Sequence, residues 1–303
     1  SQAPATLNIG SVKYGEVLAV NWAELKKDLW NFPCTFAQFE LVRTLYALRR
    51  GKLRLPGERK EWELALCPLR EIGELGPDPR DVYDAFDLAT YKSAYPALWG
   101  HDPMQVQHMT AKPNAFLEPL PEPRKGRKLR KSEDIWPRAG HILITMRTWL
   151  ITKRLVAVRL PKEVLSDVWW PFTMKEKTEE AEKALVLWLN SSIGLLVLLA
   201  HREETRGAWI QFKKPTLQKM PVLDVWKIGA KRRQKLAAAF DKLATKTLLP
   251  FPEMADDPVR AEIDEAVAYA LGLPDFGILR QLLAREPILC LSLDRLQVYE
   301  EAT

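Results

Sequence analysis

The sequence contains no glycine-rich G-x-G turn, no pair of adjacent prolines and no G-x-S-x-G motif. The G-x-S-x-G motif forms the turn that exposes the nucleophile of an α/β-type serine hydrolase, so its absence excludes that class of enzyme. The four histidines are scattered, and a nuclease would need clustered carboxylates with a lysine beside them, which we do not find. The chain therefore has no legible active site.

Cysteine is also scarce. Cys34, Cys67 and Cys290 lie far apart, and no two of them have the spacing of metal ligands. Because the count is odd, we expect a reduced, cytoplasmic protein that holds no metal. No signal peptide opens the chain. Since it begins with Ser1 rather than methionine, we expect it to be a fragment of something longer.

The longest apolar run covers residues 184–200 and lacks the uninterrupted length of a membrane span. A spanning helix needs about 20 apolar residues, and polar Asn190, Ser191 and Ser192 lie at the middle of this run. Three carboxylates (Glu179, Glu180 and Glu182) precede it, as suits the positive end of a helix dipole. We predict a buried helix that packs on several sides, and no association with a membrane.

The composition is that of a globular protein with a modest excess of positive charge. The 303 residues are 47% hydrophobic and 28% charged, enough for a sizeable core and two or three folding units. The 45 basic and 39 acidic residues leave a net charge of +6. Because the acids are spread among the bases, this charge favours an anionic partner only weakly.

Hydrophobic periodicity predicts strands first and helices later. A capping box at Thr35 and Gln38 opens a helix that ends near Gly51. Strands are predicted for EWELAL, GHILITMR, RLVAVRLP, VLSDVWWPF and AWIQF, the last with Ala208, Ile210 and Phe212 on one face. After Asp224 the pattern is helical, with helices around Leu236–Leu243, after Asp257-Pro258 and after Asp275.

One segment, residues 124–131 (RKGRKLRK, here the basic run), concentrates six bases in eight residues. Such a run is often only a solvated loop, whereas beside a nucleic acid it can bind phosphates. The phosphate-contact candidates are Arg124, Lys125, Arg127, Lys128, Arg130, Lys131, Lys213 and Lys214.

The order Leu189-Asn190-Ser191, a polar segment, and then Lys214, Leu217, Pro221 and Val222 resembles the closing half of a target recognition domain. Such domains belong to N6-adenine DNA methyltransferases of the type IIG and type I restriction–modification kind, which serve in phage defence. The resemblance extends upstream and covers about half of the chain, through the segments LREIGELGPDPRDVYDAF, PALWGHD, KPNAFLEP and GHILITMRTWLITKRLVAVRLPKEVLSDVWW.

Strand-period segments between about Trp62 and Val222, followed by helical patterns, predict an α+β fold. A twisted mixed or antiparallel sheet would form the recognition domain at 61–225. The helix that ends in Leu189-Asn190-Ser191 (the LNS motif; here the LNS helix) would pack on this sheet. An N-terminal linker and helix would occupy 1–60, and a helical C-terminal part 226–303. The family's Pro-Pro-Tyr loop and S-adenosylmethionine turn are both absent, so the catalytic domain is expected in the intact protein or on another subunit. S-adenosylmethionine would bind there, and this chain would hold no cofactor. The implied partners are double-stranded DNA and that methyltransferase domain.

In the family resembled, two segments lie near the DNA: the one after the LNS helix and the loop between paired strands. The base-reading candidates are Arg147, Thr148, Lys153, Arg154, His201, Arg202, Thr205, Arg206, Trp209 and Gln211. A competing interpretation is that Arg202 and Arg206 bind local partners, such as a helix end, and that Trp209 only packs. Two other functions stay open, an enzyme without a legible motif and an RNA- or protein-binding scaffold.

Overall fold

The structure, a computed structural model, describes residues 5–17, 36–100, 102, 104–204 and 209–289. These residues form both helices and strands, and the largest sheet is mixed, which confirms the predicted α+β class. The strands are β1 (Ala5–Ile9), β2 (Val12–Val17), β3 (Lys52–Arg54), β4 (Glu61–Glu63), β5 (Leu66–Pro68), β6 (Gly73–Leu75), β7 (Phe86–Leu88), β8 (Tyr95–Leu98), β9 (Ala115–Pro119), β10 (Gly140–Thr145), β11 (Arg147–Trp149), β12 (Ala157–Ser166), β13 (Trp169–Met174), β14 (Glu203–Glu204), β15 (Trp209–Gln211) and β16 (Pro221–Leu223).

Ten α-helices lie in the described part of the chain, with two short 3-10 helices at Trp136–Arg138 and Phe251–Asp256. The α-helices are α1 (Phe39–Leu48), α2 (Leu69–Ile72), α3 (Pro79–Tyr83), α4 (Ser132–Ile135), α5 (Glu179–Leu189), α6 (Ser192–Ala200), α7 (Lys214–Gln218), α8 (Ala230–Leu243), α9 (Pro258–Leu271) and α10 (Gly277–Leu283).

The central element is a seven-stranded mixed sheet with the order β6-β13-β10-β12-β8-β9-β7. Its pairs are antiparallel except for β12 with β8, which is parallel. Almost every residue of β10 and β13 is buried, because both faces of the sheet centre are covered. A mixed sheet between residues 62 and 222 is therefore confirmed.

The segment VLSDVWWPF forms a turn between two strands, so the single strand predicted there is wrong. β12 ends at Ser166, and its Oγ accepts hydrogen bonds from the backbone nitrogens of Val168 and Trp169, both 3.3 Å long. A serine side chain that bonds to the backbone two residues ahead stabilises a turn. The chain then returns as β13 and pairs with β10, with Leu143 opposite Pro171.

The apolar run forms two buried helices, α5 and α6, rather than one. They meet at an angle of 73°. Thr178 and Ser191 are the N-caps, and each hydroxyl accepts a hydrogen bond from an amide three residues ahead. A side chain at Gly194 would place its Cβ 2.4 Å from the Trp188 carbonyl oxygen, so only glycine fits against the end of α5.

Within the described residues, no single helix is long and apolar enough to cross a membrane. α5 and α6 meet that test of length and composition only when they are taken together. Every residue of α6 is buried in the protein.

The start of α1 corrects another prediction. The helix begins at Phe39 with Gln38 as N-cap and no side-chain cap bond, and Thr35 lies outside the described residues. The carboxylate of Glu286 takes the place of the capping box, because it accepts hydrogen bonds from the amides of Ala37 (3.0 Å) and Gln38 (2.9 Å). Gly51, with φ of 71°, follows the helix end as predicted.

The described chain after β16 contains α8, α9 and α10. In α8 the predicted apolar residues Leu236, Phe240 and Leu243 are buried. Asp257 is the predicted N-cap of α9, and its Oδ1 accepts from the amides of Val259 and Arg260. One hydrophobic core extends from Phe36 to Leu289 and therefore runs across the predicted domain boundary at 225. A smaller cluster lies around Phe86 and Leu117.

Candidate nucleic-acid interface

A small sheet of three strands, β11-β15-β14, brings several of the candidate residues together. In its antiparallel register Arg147 lies opposite Gln211, Thr148 opposite Ile210, and Trp149 opposite Trp209. Because side chains alternate along a strand, Thr148 and Ile210 share one face. Both are 4% exposed, which places this face in the core.

The opposite face of this sheet, here called the reading face, carries Arg147, Trp149, Trp209 and Gln211. Arg147 and Trp149 are exposed, and Trp209 and Gln211 are partly buried. The guanidinium carbon of Arg147 lies 4.9 Å from the centre of the Trp209 ring. This cation–π contact, of about 0.5–1 kcal/mol at an exposed site, holds the guanidinium in place without using its N–H donors.

Arg147 and Gln211 both retain their hydrogen-bonding capacity. Neither side chain forms a hydrogen bond or ion pair with any residue that the structure describes. An arginine can donate to both acceptors on the major-groove edge of guanine, and a glutamine can pair with both polar groups of adenine. Arg147 and Gln211 lie opposite each other on paired strands, so two side chains capable of bidentate hydrogen bonding are neighbours on this face.

Two hollows adjoin the reading face, and Arg147 lines both of them. The first, here the tryptophan cleft, has a volume of about 300 Å³ and is lined by Trp149, Trp169, Trp209 and Lys153 among others. The second, here the lysine groove, measures about 560 Å³ and is lined by Asp78, Arg80, Met146, Trp170, Gln211, Lys213 and Lys214 among others.

Lys153 lies in the tryptophan cleft and not on the exposed face. Its Nζ lies 3.3 Å from the centre of the Trp169 ring. Burial lowers the pKa of Lys153 well below its ordinary value, because the charged form loses its hydration.

Lys213 and Lys214 differ although they are neighbours. The Lys213 side chain is 56% exposed and forms an ion pair with Glu203, at 2.5 Å. By contrast, Nζ of Lys214 donates to the carbonyl oxygens of Leu75 (2.9 Å) and Gly76 (2.8 Å). Burial is the main cause that lowers the pKa of Lys214. Two of its donors anchor the end of β6, and its assignment as a phosphate contact stays a prediction.

Three base-reading candidates are buried or form hydrogen bonds within the protein. Thr148 is buried under the small sheet. His201 is also buried, with Nδ1 2.7 Å from the carbonyl oxygen of Val197, and burial lowers its pKa to about 4. Arg154 donates from Nη1 to the carbonyl oxygen of Leu248 at 2.7 Å. The burial of Thr148 and His201 contradicts their assignment as base-reading residues on an exposed face. Arg154 is partly buried and lines the tryptophan cleft, so its assignment stays a prediction.

Arg202 binds a local partner, a helix end, as the competing interpretation predicted. Its Nη1 donates to the carbonyl oxygen of Leu199, at the end of α6, and its guanidinium lies over the ring of Phe36. Lone carbonyls at a helix C-terminus are favourable partners for a cation. Arg202 thus closes a helix end. Thr205 and Arg206 lie outside the described residues and stay predictions.

The basic run divides into two sets of three side chains. Arg127 forms a two-pronged ion pair with Asp84, and this hydrogen bonding lowers the pKa of Asp84. Arg130 pairs with Asp81 at 3.1 Å, and Arg124 donates to the carbonyl oxygens of Tyr83 and Phe86. The arginines therefore fasten the run to α3 and β7. The remaining bases are exposed and form no ion pair within the described chain: Lys125, Lys128 and Lys131.

The LNS motif acts as a joint between elements. Oδ1 of Asn190 accepts from the amides of Val156 (2.8 Å) and Ala157 (3.3 Å), and Nδ2 donates to the carbonyls of Ala157 and Val186. These bonds fix the end of α5 to the start of β12. Ser192 then binds Asp264 of α9. The motif is buried, and with Ser192 it connects α5 and α6 to β12 and α9.

Two residues of this surface escaped the sequence analysis. Trp149 is 43% exposed opposite Trp209, and Trp169 underlies Lys153. The pairing of RTW with WIQ, both alternating, was the available signal for Trp149. Trp169 had no local signal, because its place depends on the turn at Ser166.

No protein-family model matches the chain, and no curated protein sequence matches it. Among the described residues, no group of three or more histidine, cysteine or acidic side chains could hold a metal ion. The chain has no glycine-rich turn that fits S-adenosylmethionine, so no step of methyl transfer is assigned to it.

Proposed function

We propose that this chain is a sequence-specific DNA recognition module. It would direct an N6-adenine methyltransferase domain that lies elsewhere in the same protein or on a partner subunit, and that domain would bind S-adenosylmethionine. The resemblance of the LNS helix and the Lys214–Val222 tail to target recognition domains supports the methyltransferase part of this proposal.

One observation carries the DNA-binding part: Arg147 and Gln211 lie opposite each other on the reading face and keep their donors and acceptors unused within the described residues. The Trp209 ring holds Arg147, and the buried Thr148 and Ile210 fix both strands from below. A pair of side chains that can form bidentate contacts suits base readout, with about 1–3 kcal/mol of discrimination for each. Lys213 at the edge would bind phosphate and position the duplex.

The first test measures binding of the 303-residue chain to a pool of random-sequence duplexes, with selection and sequencing of the bound fraction. We expect an enriched motif for the wild type. Arg147→Ala and Gln211→Ala should each relax the motif at one position or a neighbouring pair of positions. Lys213→Ala should weaken all sequences alike, because phosphate contacts carry no base information.

A matched control is Lys242→Gln, since Lys242 is 75% exposed on α8 and its loss changes the net charge by one unit. This variant should keep both the motif and the affinity. Duplex RNA of the same sequence serves as competitor and should displace DNA poorly. An unaltered motif in both the Arg147 and Gln211 variants would remove the reading face from the proposal, and preferential binding of RNA would replace it with a different function.

A further inference from the structure

The tryptophan cleft combines apolar walls with a polar end. Leu98, Val106, Val168 and Trp169 contribute the walls, and Lys153 contributes an amine. Its volume of about 300 Å³ lies at the lower end of the range for ligand pockets. A cleft of this size suits one flat ring and not an extended ligand.

The amine of Lys153 has no acceptor in the described part of the chain. Its contact is the ring face of Trp169, which attracts a cation but takes no conventional hydrogen bond. A lysine amine carries up to three N–H donors, and partly buried donors favour a ligand that accepts. A carbonyl oxygen or ring nitrogen in the cleft would meet that need.

Trp149 supplies an aromatic surface at the same place. It lines the cleft, is 43% exposed and stands directly opposite Trp209. A base that stacks on an aromatic side chain gains about 1–3 kcal/mol, whichever base it is. The lining also contains Arg147, Arg154 and the carboxylate of Asp102, so the apolar walls and the aromatic surface, and not the charge, favour a ring over a phosphate group.

We propose that the tryptophan cleft holds a single unpaired nucleobase of the DNA on the reading face, stacked on Trp149 and accepting a hydrogen bond from Nζ of Lys153. This inference rests on the proposed DNA binding and adds a substrate class to it, namely duplexes with one unpaired base. Arg147 connects the two surfaces, since it belongs to the reading face and also lines the cleft. A DNA strand that contacts Arg147 therefore passes beside the cleft, and an unpaired base of that strand can enter it.

The test compares three duplexes with the same flanking sequence: fully paired, with a single bulged thymidine, and with a bulged abasic residue. We expect the thymidine bulge to bind about 10-fold more tightly than the paired duplex, as a stacking contact of that size requires. The abasic bulge should lose this gain. The abasic duplex is as flexible as the bulged one, so the comparison separates base binding from ease of bending.

The variants Trp149→Ala and Lys153→Met should each abolish the preference for the thymidine bulge, whereas Trp149→Phe should keep part of it. Two matched controls should retain the full preference: Tyr269→Ala, which removes an aromatic ring that is 75% exposed on α9, and Lys242→Gln. Thermal unfolding of every variant shows whether the fold is intact, and Trp149→Phe tests stacking even if Lys153→Met fails to fold.

The outcomes separate the two proposals. Equal affinity for paired and bulged duplexes overturns the inference and leaves the proposed function standing. Equal affinity for thymidine and abasic bulges overturns it as well, because flexibility alone then explains the preference. Failure to bind any duplex overturns both.

Discussion

Ser192 donates two hydrogen bonds to the carboxylate of Asp264, from its backbone nitrogen to Oδ1 and from Oγ to Oδ2, each 2.7 Å long. Arg280 donates to the same Oδ2 at 2.9 Å. All the acceptor atoms are buried, and burial raises the pKa of Asp264 to about 6. The start of α6 is therefore tied to α9 and α10 through one carboxylate.

We expect Asp264→Ala to lower the free energy of unfolding by about 3–5 kcal/mol, since it leaves the charge of Arg280 and the amide of Ser192 unpaired in the interior. Urea unfolding measures this change. Asp256→Ala, which removes an exposed carboxylate from the nearby 3-10 helix, should stay within about 0.5 kcal/mol of the wild type. A decrease below about 1 kcal/mol for Asp264→Ala would contradict the role of this carboxylate.

Asn190 is predicted to act through both ends of its amide. Asn190→Ala leaves the amide of Val156 and the carbonyl of Ala157 without partners, at a cost of about 1–3 kcal/mol for each buried group. Asn190→Asp keeps the acceptor but not the donor and adds a buried charge. It should therefore destabilise the protein at neutral pH and recover as the pH falls. Chemical unfolding at about pH 5 and about pH 7 checks both variants. A stable Asn190→Asp protein at neutral pH would refute the prediction.

His201 should make the protein less stable in mild acid. Burial is the main cause that lowers its pKa from 6.5 to about 4, and the nearby charge of Arg49 adds to it. The unfolded chain therefore binds the proton more readily, and stability is lost as the pH falls from 6.5 towards 4, by up to about 3 kcal/mol.

The measurement is the difference in unfolding free energy between the wild type and His201→Gln at each pH from about 4 to about 7. Asp264, whose pKa is raised and whose contribution has the opposite sign, is present in both proteins and cancels. The wild type should lose more stability than the variant on acidification. A difference that does not change with pH would mean that His201 keeps an ordinary pKa.

Substitution of the three lysines of the basic run should affect DNA binding, whereas substitution of its three arginines should also loosen the run from the fold. Lys125→Gln, Lys128→Gln and Lys131→Gln together should leave the melting temperature unchanged and flatten the salt dependence of DNA binding. The log–log slope should decrease by about 0.9 for each phosphate that the variant no longer neutralises. The matched triple Arg124→Gln, Arg127→Gln and Arg130→Gln removes the same charge but frees the run from α3, so limited proteolysis should cleave it faster. If the lysine triple leaves the salt slope unchanged, the run is a solvated loop.

The sequence predicted correctly those helices and strands that are specified by residues close together in the chain. The alternation of AWIQF placed Ile210 and Phe212 inward, and Asp257 with Pro258 marked the start of α9, as found. Strand alternation and helix caps depend on the nearest neighbours in the chain, so they are legible in the sequence.

Long-range contacts account for what the sequence analysis missed. Arg127 resembles a solvated base until Asp84, 43 residues earlier, is placed beside it. Lys214 sits in a motif associated with DNA, yet it meets the carbonyls of β6 and the residue after it, 139 and 138 residues away. No local pattern encodes such partners, because they depend on how the sheets and helices pack together.

The contact of Glu286 with the start of α1 determines when that part of the protein can form. The carboxylate and the amides that it caps are 248 and 249 residues apart, so the ribosome must release nearly all of the described chain before they meet. Early segments of a nascent chain often fold as separate units. Here α1 lacks these two cap bonds until Glu286 has emerged from the ribosome, so this part of the fold is completed only after α10 has been synthesised.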